Sequence, residues 1–147
     1  MRREKQLPRD ISVEHGKKHE KFKKLIESKL SPFYKKTMKD VFMYALGIGF
    51  SNGKRVKLKK KVGTIPLRTF NENDEALIKA IAITEKGSMD VLFGENIKEA
   101  FDIAEEYANG GIDTLYSLVF GDEPGDPDRK MEQELRHIFI KVQGGKI

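Results

Sequence analysis

A chain of 147 residues, 38% hydrophobic and 35% charged, is long enough for one hydrophobic core and too regularly apolar to be a disordered polymer. It contains no cysteine, which excludes disulfides, thiolate metal sites and cysteine nucleophiles together. No apolar run reaches the roughly 18 residues of a membrane span, and Met1-Arg2-Arg3 is followed by polar residues rather than by the apolar stretch of a secretory signal, so a cytoplasmic protein without membrane contact is expected.

The formal net charge of +5 conceals an asymmetry: residues 1–71 hold 20 Lys/Arg against 6 Asp/Glu, and residues 72–147 hold 8 against 17. A chain polarised in this way can offer one face to a polyanion. Its halves can also attract each other, within one chain or between two copies.

Residues 1–12 (MRREKQLPRDIS) read as a flexible basic arm, since Pro8 and the lack of periodicity oppose a helix. Residues 13–147 read as a single helical domain. The first helix is predicted from about Val13 to Leu30, with Phe22, Leu25, Ile26 and Leu30 on one stripe, weakened at Gly16 and ended by Ser31-Pro32. Thr37 opens a second helix as its N-cap, with Asp40 at the positive end of the dipole. Val41, Phe42, Ala45, Leu46 and Phe50 recur at helical spacing, and Met43, Tyr44 and Ile48 make the helix apolar nearly all round, as expected at the centre of a core. Gly47 and Gly49 would let another backbone approach closely. Asn52-Gly53 stops the helix.

Residues 54–62 (KRVKLKKKV) alternate in part, as an extended edge or an ordered loop. Gly63-Thr64 reads as a turn and Ile65–Phe70 as extended, with Pro66 excluding a central strand. A local two-stranded ribbon is the most that is expected here. The second half predicts a helix from Asn73 or Asp74 to Lys86, a short turn capped by Ser88, and a helix from Glu95 to Ala108. Asn109-Gly110-Gly111 reads as that helix's left-handed terminator, followed by a short helix from Ile112 to Phe120. An acidic turn, Gly121 to Pro127, precedes a last helix capped by Asp126 and carrying Met131, Leu135, Ile138 and Phe139. The expected fold is all-α, about six helices with a short basic extended or ribbon insertion near residues 54–70.

The candidate binding residues lie in that insertion. Lys54, Arg55, Lys57, Lys59, Lys60 and Lys61 put six positive charges into eight residues, and Arg68 follows; held on a fixed loop they would suit nucleic-acid phosphates. The run contains no aromatic, which favours backbone contact over base stacking. Two other readings stand beside this one: a solvated face, or a docking site for carboxylates of this chain or of an acidic partner. The basic residues Arg2, Arg3, Lys5 and Arg9, with the lysines of the first helix, could extend the surface.

His15 and His19 are spaced as two ligands on one helical face. The pattern is not HExxH and no third ligand is evident, so no metal is assigned. Glu105 and Glu106 are adjacent and diverge on a helix. No phosphate-loop, dinucleotide or nucleophile-elbow motif occurs. The chain therefore reads as non-enzymatic, with no catalytic residue and no cofactor.

Three blocks occur together: Asp40-Val41-Phe42 through Gly53-Lys54-Arg55-Val56, then Ile65-Pro66-Leu67-Arg68-Thr69-Phe70, then Glu106-Tyr107-Ala108-Asn109-Gly110-Gly111. In this order the region from residue 37 to 120 resembles the DNA phosphorothioation (Dnd) system-associated protein 4 family. The resemblance implies a prokaryotic protein of a modification-linked restriction and defence system, with DNA or other proteins of that system as partners. It carries no catalytic residues. An adaptor that docks an acidic partner through the basic face, without touching nucleic acid, is the alternative, and a homo-oligomer is compatible with either.

Overall fold

The computed structural model describes residues 10–121. In chain order these form β1 (Asp10–Glu14), α1 (Lys17–Glu27), α2 (Met38–Ser51), β2 (Lys61–Pro66), α3 (Glu72–Lys86) and α4 (Ile97–Phe120), with 3-10 turns at Leu67–Thr69, Met89–Leu92 and Gly94–Asn96. Four α-helices and a two-stranded antiparallel sheet among the described residues replace the expected six-helix, all-α fold. The predicted acidic turn and last helix, and residues 1–9, lie outside the described residues.

Local chemistry sets the helix starts. The Thr37 Oγ1 accepts from the Asp40 amide at 3.2 Å and the Asp40 carboxylate accepts from the Thr37 amide at 3.1 Å, a reciprocal capping box. Asn71 and Asp74 repeat it at α3. α1 starts later than expected, because Gly16 takes φ 95° and the residues before it belong to β1 and a turn.

α2 packs against α4 at the centre of the molecule, burying Val41, Phe42, Ala45, Leu46 and Ile48 against Phe101, Ala104, Ala108, Ile112 and Leu115. Asn109-Gly110-Gly111 does not end a helix; α4 runs through it to Phe120. The reason is steric. A Cβ at Gly49 would fall on the Tyr107 carbonyl oxygen, and one at Gly111 on the Ala45 carbonyl oxygen. The two helices touch backbone to backbone, and this contact outweighs the roughly 1 kcal/mol that each interior glycine costs a helix.

The sheet is not the local ribbon expected. β2 pairs with β1 from the start of the chain, Ile11 opposite Ile65 and Glu14 opposite Lys61, with a register irregularity after Ile11. Gly63 and Thr64, read as a turn, lie within β2. Ile11 and Val13 point inward by strand alternation and are buried. Pro66 sits at the strand's end, where a missing N–H does no harm. α1 is fastened to α4 by Lys18 and Lys21 on Asp113, at 2.6 and 2.7 Å, and by Lys24 over the rings of Tyr116 and Phe120. No helix among the described residues is long and apolar enough to cross a membrane.

Two tests follow from this packing. Gly49→Ala is expected to lower stability by about 3 kcal/mol, because both colliding groups are main chain. Gly47→Ala, with open space around its Cβ, should raise Tm by about 2–3 °C through helix propensity alone; thermal melts of the two variants give opposite signs. Asp113 supplies a pH signature. Burial pushes its carboxyl up, but Lys18 and Lys21 outweigh burial and hold it below the usual aspartate range. Its contribution is thus present above the ordinary aspartate pKa and lost as pH falls through the depressed value. Asp113→Asn should be less stable than the parent at neutral pH, and the gap should close in acid.

Candidate nucleic-acid interface

Residues 54–60 leave the end of α2 and cross the middle of α4, bending at Lys59 and Lys60 before β2. The Lys54 amide donates to the Gly49 carbonyl at 2.8 Å, closing α2. The Lys54 carbonyl rests where a Cβ of Gly110 would lie, so the second glycine of the pair admits this segment. The Val56 amide donates to the Glu106 carbonyl at 3.0 Å, and the Asn109 Nδ2 donates to the Val56 carbonyl at 3.2 Å. Leu58 is 7% exposed and anchors the run to the core side. The Lys59 amide then donates to Glu14 Oε1 at 3.0 Å, and the Lys60 carbonyl accepts from the His15 amide at 2.8 Å. Asn109 also donates to Glu14 at 3.2 Å. Four hydrogen bonds in five residues fix this backbone from below.

The seven predicted side chains fall into three groups. Arg55 and Lys61 are held by carboxylates. The Arg55 Nε donates to Glu106 at 2.6 Å and its Nη1 to Glu85 at 2.9 Å. Burial opposes the guanidinium charge, but Glu106 and then Glu85 outweigh it and push its pKa up. The Lys61 Nζ reaches Glu105 at 2.8 Å and Asp102 at 3.3 Å; burial opposes this charge also, and the two carboxylates raise its pKa above the usual lysine value. Glu105 is 4% exposed. Burial pushes its carboxyl up, partly offset by Lys61 and by the Ser12 amide, which donates to it at 2.7 Å.

Lys54, Lys57, Lys59 and Lys60 form the second group. All are exposed, and none has a carboxylate partner among the described residues. Arg68 stands apart on the 3-10 turn after β2, at the far end of a six-residue strand that spans about 20 Å. The structure thus brings together six of the seven and divides those six into paired and unpaired charges.

Sequence reading missed Glu85, Asp102, Glu105, Glu106 and Asn109 as partners of this segment, and Tyr107 as the partner of Glu85. The signal was the spacing of Asp102, Glu105, Glu106, Asn109 and Asp113, a polar stripe at helical period, hidden once Asn109-Gly110-Gly111 is taken as a stop. His15 lies in the turn ahead of α1, so it does not share a helical face with His19. An open groove of about 420 Å³ between Thr37–Asp40 and Thr64–Thr69 has its side-chain groups already engaged, Thr37 and Asp40 in the capping box, Lys39 on Asp74, and Thr64 and Thr69 on main-chain carbonyls.

Tyr107 closes the arrangement. Its hydroxyl donates to Glu85 at 2.5 Å, and Glu85 holds Arg55. Burial and then this bond push the phenol pKa up to about 12, while the same bond, against burial and aided by Arg55, holds the Glu85 carboxyl below the usual range. Tyr107→Phe should cost about 1.5 kcal/mol, the low end for a hydrogen bond to a charged group. Ultraviolet titration of the four tyrosines should lose the component that ionises near 12.

With this geometry in hand, comparison with known proteins is informative on one count. Residues 13–134 match the family model described as DNA sulphur modification system-associated protein 4. Searches of curated proteins and of solved structures found no match.

Proposed function

We propose a role that proceeds from family membership: the chain belongs to the DNA sulphur modification system-associated protein 4 family, and it acts as a non-enzymatic accessory protein of such a system that holds DNA by its phosphate backbone. One observation carries this reading. After the acidic helices have taken up Arg55 and Lys61, four lysines of the same run are left exposed and unpaired among the described residues, on a backbone already fixed by hydrogen bonds. A backbone already held loses little further freedom on meeting phosphates, and the counterions that DNA releases drive the association. Contacts from these lysines to phosphates position the protein on DNA without choosing sequence.

The ion pairs of Arg55 and Lys61 favour a second reading, in which the remaining lysines dock on carboxylates of another protein of the same system. Salt titration with a duplex of about 20 base pairs separates them. Phosphate binding predicts a log–log slope near −0.9 per contact, and Lys57→Gln/Lys59→Gln/Lys60→Gln should flatten it by about 2.7 while weakening binding at every salt concentration. An unchanged slope in the triple variant overturns the phosphate reading. A parent with no duplex affinity, whose lysines are needed to retain an acidic protein of the system, supports the second.

A further inference from the structure

We propose that Arg55 and Lys61 make no phosphate contact and are instead positioning residues, fixing the lysine-bearing backbone from its two ends and setting the edges of the site. The proposal rests on the phosphate reading of the unpaired lysines and narrows it.

Charge is the first argument. Arg55 lies between Glu85 and Glu106, so the cluster carries one net negative charge. Lys61 pairs with Asp102 and Glu105, and Lys98 with Asp102, so that cluster is neutral. A phosphate brought to either end meets a charge that is already balanced or opposed, and to gain Arg55 it would have to displace two carboxylates. Like charges on the approach are a cost that salt screens only in part at such distances.

Attachment is the second. Arg55 precedes the Val56 amide and carbonyl, both bound to α4, and Lys61 follows the Lys60 carbonyl, bound to the His15 amide in the turn after β1. Each ion pair therefore closes a backbone hydrogen bond adjacent to it. Lys57, Lys59 and Lys60 lie between the two closures. Their backbones lie within about 10 Å of one another at most, close enough for their ammonium groups to reach neighbouring phosphates. Lys54 lies outside the first closure, against Gly49 and Gly110.

Single-residue salt titrations on the full chain, with the same unmodified duplex, separate contact from position. Lys57→Gln should reduce the slope by about 0.9. Arg55→Gln should weaken binding about three- to tenfold through loosening of the segment, with the curve displaced in parallel and its slope unchanged. Lys61→Gln should behave like Arg55→Gln, and serves if the Arg55 variant is too unstable to titrate. A slope reduced by about 0.9 in either variant overturns the proposal. Amide hydrogen exchange gives a readout independent of DNA: Arg55→Gln should speed exchange at Val56 about tenfold, equivalent to one charge-assisted hydrogen bond, whereas Lys57→Gln should not. Were the parent to show no duplex affinity, the phosphate reading would fall by itself, and with it the phosphate part of this proposal. The exchange rates would then decide the positioning role, since equal exchange at Val56 in parent and Arg55→Gln excludes it.

Discussion

The direct contact between the backbones of α2 and α4 is the constraint on which the other features rest. Helices usually keep axes 8–10 Å apart because side chains stand between them. Here Gly49 and Gly111 remove those side chains, and main-chain atoms meet. The close approach sets how far α2 projects, and hence where Lys54 emerges at its end. It also brings Glu106 and Asn109 of α4 under the segment that follows. The position of the basic run is thus a consequence of packing some distance away, and the flanking ion pairs fix a path that the helices have already chosen.

Electrostatics then divides the run. The acidic second half does attract the basic first half, in accord with the lopsided composition, but it engages selected members only. Arg55 and Lys61 meet carboxylates because α3 and α4 place Glu85, Glu106, Asp102 and Glu105 at their reach. Glu105 is deeply buried, whereas Lys61 keeps about half its side chain in water, so burial weighs mainly on the carboxylate and the ammonium gains. Such a pair contributes less to stability than its distance suggests, and its evident effect is to fix geometry.

Much of the core was legible in the sequence. The Thr37 cap, the inward set Val41, Phe42, Ala45 and Leu46, and the close approach expected at Gly49 follow from local rules that the structure obeys, whereas Gly47, read the same way, faces open space. The basic run was visible as charge. What escaped was tertiary in origin. Asn109-Gly110-Gly111 reads as a stop because glycine is a poor helix former, and only the opposing backbones reverse that preference. β1 is five residues long and finds its partner about 50 residues away, a distance at which no hairpin signal exists. The pairing of Arg55 with Glu85 and Glu106 spans 30 and 51 residues, so no spacing rule within the run could separate its paired charges from its free ones. The family resemblance, by contrast, was carried by these same blocks, and the matched region extends to residues 13–134.

The contacts of β1 bear on the order of assembly. Ser12 is bonded to Glu105, and Glu14 to Asn109, across 93 and 95 residues of chain. The strand made early in synthesis therefore waits for a helix made about 5–20 s later at ordinary elongation rates. The lysine run is made about halfway through that interval, and until α4 follows it lacks its floor and the carboxylates of Asp102, Glu105 and Glu106. The surface acquires its shape in one late step, when α4 arrives and closes the long loop.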